Sequence, residues 1–268
     1  MKTKYKIFFA RILSFMITLF ISKNQNVKRN MINWSLNLKE GIDLSIFLFG
    51  SSERKILNLK KLLNTKSKLF FLDIGANIGS VSLPLAKLFY NSKVYSFEPT
   101  HYAFKKLKKN LSLNKDLQNK IFLNQLFVSN KKKPKKVWSS WSLEDKSSHH
   151  KSHRGKLKSI KLNSYISLDN FVKINGIKKI DFIKLDVDGY ELDVLKSGAM
   201  IFKKNKPILF MEIAPYLYTE FGYNCLDLIK YIKKYKYNFY DENLKKIENI
   251  YKSVKKIKYG SSKNFFLY

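Results

Sequence analysis

The chain has 268 residues, with 52 Lys+Arg against 20 Asp+Glu, a formal net charge of +32. That length suits one large domain with an attached segment, and 45% apolar with 15% aromatic residues supplies a core and excludes wholesale disorder. A single cysteine, Cys225, excludes an internal disulfide and a thiolate metal cage, and points to a reducing, cytoplasmic setting.

In chain order, residues 7–21 form an apolar run interrupted by Arg11 and preceded by Lys2, Lys4 and Lys6. The run is shorter than the ~20 residues that span a bilayer, and no small-residue cleavage site follows it. Residues 1–40 therefore read as a basic and apolar helical extension, docked on the domain or lying peripherally on a membrane surface. A domain over 41–268 follows. Ile42 to Phe49 forms a lead-in element closed by Gly50, and Glu53 to Leu63 has helical spacing.

The segment Leu69 to Ile74 breaks on Gly75, and helical periodicity runs from Val81 to Tyr90. A second strand, Lys93 to Phe97, ends at Glu98-Pro99, followed by a helix from His101 to Leu113 and a third strand over Ile121 to Val128. Strands alternating with helices predict an α/β fold on a mostly parallel sheet. Residues 131–161 change character, with 11 Lys+Arg against Glu144 and Asp145, and read as a basic hairpin insertion. Next come a helix near Leu168, a strand over Ile180 to Val187, a helix from Glu191 to Phe202 and a strand over Ile208 to Ile213. A helix from Leu226 to Tyr235 and strands at Tyr237 to Tyr240 and Phe265 to Tyr268 complete the pattern.

The charge is a weak guide to function. Only Arg11, Arg29, Arg54 and Arg154 are arginines, so 48 of the 52 cations are lysine. Lysine is a hydrated point charge without the planar fork that reads bases and phosphates, and its enrichment alongside Asn, Ile, Phe and Tyr has the look of codon bias. Nucleic acid stays open as a partner on charge alone. Against it, no Asn-Pro-Pro-Tyr-like run is present, and Cys225 lacks the preceding proline of a cytosine nucleophile.

Two constellations carry chemistry. The first is Asp73-Ile74-Gly75-Ala76-Asn77-Ile78-Gly79, where the first strand meets its helix. Glycines there allow positive φ and a close backbone approach to a ligand. Glu98, 19 residues after Gly79 at the end of the second strand, is placed to accept hydrogen bonds from ribose hydroxyls. The turn lacks the G-x-G-x-x-G spacing of a pyrophosphate loop, so S-adenosylmethionine suits it better than NAD.

The second is Lys184-Leu185-Asp186-Val187-Asp188-Gly189-Tyr190-Glu191, at the C-terminal end of the fourth strand, the edge where open α/β sheets bind ligands. Alternation points Lys184 and Asp186 to one side. Glu212 closes the fifth strand, so Asp186, Glu191 and Glu212 are expected to converge as candidate catalytic carboxylates, with Lys184 orienting them; a structural charge network is the competing reading. The string D-V-D-G lacks the ligand series of a calcium loop, and Mg²⁺ is compatible with the carboxylates without being demanded by their spacing. His101 reads as a surface residue, and His149, His150 and His153 as a solvated loop without HExxH order. Trp138 and Trp141 make residues 131–161 a candidate acceptor lid.

From about Ile42 to Tyr240, the blocks IDLSIFLFGSSE, FLDIGANIGSVSLPLA, SFEPTHYAFKKLKKNLSLN, SLDNF, IDFIKLDVDGYELDVLKSGA and PILFMEI resemble the FkbM-type S-adenosylmethionine-dependent methyltransferases. Family members commonly carry Glu where this chain has Asp188. The resemblance implies a class I methyltransferase fold, a seven-stranded sheet with helices on both faces and a reversed last hairpin. It also implies O-methylation of a hydroxyl on a saccharide, glycan or other metabolite. By the same resemblance Asp73, Gly75, Ala76, Asn77 and Gly79 hold the methionine end of the cofactor, Glu98 its ribose, and Asn124 or Gln125 lies near its adenine.

Overall fold

Strands buried on both faces are written into the sequence as near-continuous apolar runs, and these runs assemble into the central sheet. The computed structural model describes residues 3–130, 136–138, 143, 157–159 and 165–268. In chain order the described elements are α1 (Thr3–Phe20), β1 (Asn24–Arg29), β2 (Ile32–Asn37), α2 (Gly41–Phe49), β3 (Leu69–Ile74), α3 (Ser82–Leu88), β4 (Ser92–Phe97), α4 (His101–Ser112) and β5 (Ile121–Asn124). There follow β6 (Phe127–Val128), β7 (Lys136–Trp138), β8 (Leu157–Ser159), β9 (Tyr165–Ile166), α5 (Leu168–Ile174), β10 (Phe182–Leu185), α6 (Glu191–Ser197) and α7 (Ala199–Lys204). The last elements are β11 (Ile208–Ile213), α8 (Cys225–Lys233), β12 (Phe239–Tyr240), α9 (Ile250–Lys255) and β13 (Lys263–Leu267).

Seven of the described strands form one sheet in the order β12-β13-β11-β10-β3-β4-β5. β11, β10, β3, β4 and β5 run parallel, while β13 is antiparallel to both its neighbours. This is the class I methyltransferase sheet with its reversed last hairpin. Alternation splits the core cleanly. Leu72, Ile183 and Met211 pack on one face; Phe71, Phe182 and Phe210 pack on the other, with the Phe71 ring edge-on to Phe89 and Phe182.

Several elements depart from the sequence reading. The extension over 1–40 is helical only to Phe20; β1 and β2 then form an antiparallel hairpin. Its β2 edge is satisfied by side chains in and just after α4: Asn110 Oδ1 accepts from Ser35 N at 2.8 Å, and Asn114 pairs with both the N–H and the C=O of Asn33 at 2.8 Å. The stretch after Glu53 is a 3₁₀ helix, Arg54–Lys61. The third strand stops at Asn124, and Phe127–Val128 leaves the sheet to pair with β9. The helix expected from Glu191 to Phe202 breaks at Gly198, and the Asp169 carboxylate accepts from Met200 N and Ile201 N to start α7 as a separate helix. The basic insertion contributes the short antiparallel pair β7–β8. The Trp138 side chain, and Trp141, His149, His150 and His153 altogether, lie outside the described residues.

Candidate active site

The C-terminal edge of the sheet opens into a cavity of about 1030 Å³. Its walls come from the turn after β3, the Glu98–Ala103 segment, Leu126–Val128, the loop after β10, Glu212 and Tyr216, with Ser262 and Asn264 approaching from β13 and α1 and α2 at the rim.

The turn after β3 is pinned by backbone. Gly75 N and Ala76 N both donate to Phe97 O, at 3.0 and 2.9 Å, and Gly75 takes φ +83°. A Cβ on Gly75 would lie 1.9 Å from Asp186 O, so glycine is required for the turn to lie against the loop after β10. Asn77 N donates to Glu98 Oε2 at 3.0 Å, while Glu98 Oε1 accepts from Thr100 N at 2.9 Å and Thr100 Oγ1 at 2.6 Å. Burial pushes the Glu98 carboxyl up from its ordinary range, against these three donors. A carboxylate has about four lone-pair sites, so roughly one remains, on Oε2, for a ligand hydroxyl.

Asp73 lies beneath the turn, fully buried and bonded to the Ser82 hydroxyl, which also contacts the Ser96 hydroxyl at 2.6 Å. Lys184 stands opposite Asp73 in the β3–β10 register and donates to Gly75 O at 2.9 Å. Its Nζ is 3.4 Å from Asp186 and 3.8 Å from Asp73. Burial opposes the Lys184 charge, but Asp186, Asp73 and Glu53 outweigh it and hold the ammonium above its usual range. Lys184 thus ties the turn after β3 to the loop after β10.

Asp186, Asp188 and Glu212 each offer a carboxylate oxygen within 4.8 Å of the others. Glu212 is pushed well above its ordinary range by burial and by the charges of Asp186 and Asp188, and it accepts from the Ser262 hydroxyl. The three could hold a divalent cation, and equally could share protons with an acceptor.

The structure brings some of the residues singled out in the sequence into one cavity and leaves others outside it. Gly75, Asn77, Glu98, Lys184, Asp186 and Glu212 line one cavity. Glu191 does not join the carboxylates: it is fully buried beneath the β10 loop, accepting from Val187 N and Gly189 N, and burial pushes it up to about 8. Asp188, one residue before a glycine at φ +104°, takes its place. Ala76 faces the core, and Gly79 is set by packing, since a Cβ there would lie 2.3 Å from Leu83 and 2.8 Å from Leu107. Asn124 turns back on its own strand to Phe122 O, and the wall past β5 is formed by Leu126, Phe127 and Val128 rather than by Asn124 or Gln125. His101 is exposed, as expected.

Glu53 was missed. It borders the cavity, and burial and the neighbouring Asp186 and Asp73 charges outweigh Lys184 to push its carboxyl to about 7. Its signal was its place as the last residue of the block IDLSIFLFGSSE. Ser262 and Tyr216 had no local signal.

The cavity fits the cofactor that the resemblance implied. Glu98 offers one acceptor site at one end, and Phe127 and Val128 give an apolar wall beside it, while the methionine end would lie along Gly75 and Asn77. The chain is similar to TYW2 of Pyrococcus horikoshii in complex with MeSAdo, at 17% identity over 98% of this chain and 82% of that one, TM-score 0.45. It is similar to TYW2 of M. jannaschii in complex with AdoMet, at 15% identity over 92% and 85%, TM-score 0.41. It is also similar to precorrin-6y C5,15-methyltransferase of Geobacter metallireducens, at 12% identity over 82% and 88%, TM-score 0.42. No curated protein matches the chain. The profile of the methyltransferase FkbM domain matches residues 73–239, from the end of β3 to the start of β12, and the chain belongs to that family of S-adenosylmethionine-dependent methyltransferases.

Proposed function

We propose that this methyltransferase acts on a hydroxyl, of a saccharide, glycan or secondary metabolite, and that Asp186 takes the acceptor proton. The observation that carries this reading is the acidic cluster Asp186–Asp188–Glu212 with Lys184 behind it, at the end of the cavity away from Glu98. S-adenosylmethionine supplies a methyl group on a sulfonium, open to in-line displacement. The protein must align an acceptor oxygen and accept its proton. Asp186 suits the second task because it stands 3.4 Å from the Lys184 ammonium at the cavity wall, whereas burial and the charges of Asp186 and Asp188 push the Glu212 carboxyl well up. Glu212 and Asp188 then serve to orient acceptor hydroxyls. A cluster of three carboxylates repels a phosphate backbone, which favours a neutral polyhydroxyl acceptor over nucleic acid despite the overall charge. The unpaired Cys225, whose thiol burial pushes up to about 11, suits a cytoplasmic setting.

The test is calorimetric titration with S-adenosylhomocysteine, followed by transfer of labelled methyl to a panel of saccharides and to RNA. Wild type and Asp186→Asn should bind S-adenosylhomocysteine alike, and the variant should transfer at least about 100-fold more slowly to the saccharide acceptor. Transfer to RNA alone, or undiminished transfer by Asp186→Asn, overturns the reading.

A further inference from the structure

The helix α1 is apolar on its outward side as well as on its docked side, unlike a helix that covers a water-exposed domain. Such a helix turns its apolar stripe inward and its polar side to solvent. Here the docked side carries Ile7 and Ser14, both buried, and the half-buried Ala10 and Ile17, with Arg11 and Thr18 alongside. Ile7 packs against Leu38, Leu44 and Leu143. The outward side carries Phe8, Ile12, Phe15, Met16 and Leu19, recurring at helical spacing and each between 46% and 59% exposed, and Phe20 at the end is 83% exposed. A contiguous apolar stripe of this kind marks an interaction surface.

Three observations select its occupant. Exposed lysines bracket the stripe, Lys6 in the first turn and Lys23 just past the last, on a chain whose net charge is +32. Cations flanking a lipid-facing stripe match an anionic headgroup layer. The helix has 18 residues, and no described helix is long and apolar enough to cross a membrane. Its end is also tied back to the domain, because Leu38 N donates to Lys23 O at 2.8 Å. The helix can therefore lie along a bilayer while keeping Ile7 and Ser14 docked. Finally, Lys6, Phe9 and Leu13 on α1 border the active-site cavity, with the exposed Phe49 of α2 on the same rim.

We propose that α1 is an in-plane anchor that seats the chain on an anionic lipid surface, with the cavity opening beside the bilayer, so that the acceptor is a membrane-borne molecule. The statement about the acceptor rests on the methyl-transfer reading above; the docking does not.

The experiment is flotation of the full chain with vesicles of phosphatidylcholine, with and without phosphatidylglycerol, at low and high salt. It compares wild type with the double variant Phe15→Glu/Leu19→Glu, whose two sites are exposed and lie outside the cavity wall. Wild type should float with the anionic vesicles, and its bound fraction should fall about tenfold with neutral vesicles or high salt. The double variant should lose binding at least about tenfold while keeping its affinity for S-adenosylhomocysteine. Wild type that does not float, or a double variant that floats equally well, overturns the proposal. So does a wild-type dimer that the double variant dissociates without any vesicle binding, which would make α1 a face between two copies. Vesicle binding without S-adenosylhomocysteine binding would sustain the docking and refute the methyl-transfer reading.

Discussion

The two ends of the cavity use carboxylates in opposite ways. At one end Glu98 is committed, with three of its lone-pair sites taken by Asn77 N, Thr100 N and Thr100 Oγ1, so it is a fixed, nearly saturated acceptor. At the other end Asp186, Asp188 and Glu212 crowd within 4.8 Å, held in check by one buried lysine. A saturated carboxylate positions a ligand and resists proton exchange. A crowded cluster, in which burial and the neighbouring charges push the Glu212 carboxyl well up, is suited to taking up and passing on a proton. On the proposed function, the difference separates the end that binds from the end that reacts.

The harshest way to break this comparison is to pry the ends apart at the turn that joins them. Gly75→Val places a Cβ 1.9 Å from Asp186 O on backbone at φ +83°, so both ends should be disturbed together. Loss of cofactor binding by at least about 100-fold is expected by calorimetry, with a stability loss of about 3 kcal/mol or more in urea unfolding. Unchanged affinity would show that the turn is not part of the binding end.

A smaller effect should follow from Glu98→Ala, which strips the acceptor from Asn77 N and Thr100 N. Cofactor affinity should drop about tenfold or more, with about 1–3 kcal/mol lost in stability, and turnover at saturating cofactor should be little changed. A fall in turnover with affinity intact would reverse the assignment of the two ends.

The subtlest test uses Glu53, whose folded pKa is about 7 against an ordinary 4.5. As pH rises between these values the unfolded chain ionises first and binds fewer protons, so stability falls with pH across that window. Glu53→Gln should flatten that fall, raising Tm relative to wild type above pH ~7 and leaving the difference smallest below pH ~4.5. Parallel Tm curves for the two proteins would mean that Glu53 is not held neutral by burial and the neighbouring Asp186 and Asp73 charges.

How much of this was legible beforehand follows from the range of each interaction. The run Leu69–Ile74 with Gly75 after it is a local pattern, and it became β3 and a turn with the glycine at positive φ. Lys184 and Asp186 face one way because a strand alternates, and they pair. The inward face of α1 was not legible, since residues 7–21 read as one apolar run interrupted by Arg11 and only docking shows that Ser14 is buried while Phe15 is exposed.

The amino-acid sequence by itself determined the α/β class, the family, the glycine turn with Glu98, and the pair Lys184–Asp186, because each depends on contacts within a strand, a turn or a fixed spacing between them. Only the tertiary structure decided which third carboxylate joins Asp186 and Glu212. Glu191 begins α6 and is drawn under the loop by the amides of Val187 and Gly189, leaving Asp188 to face the cavity. It alone brought Glu53 and Ser262 to the same rim from opposite ends of the chain, since the hairpin strand β13 inserts beside β11 and no local pattern records that pairing.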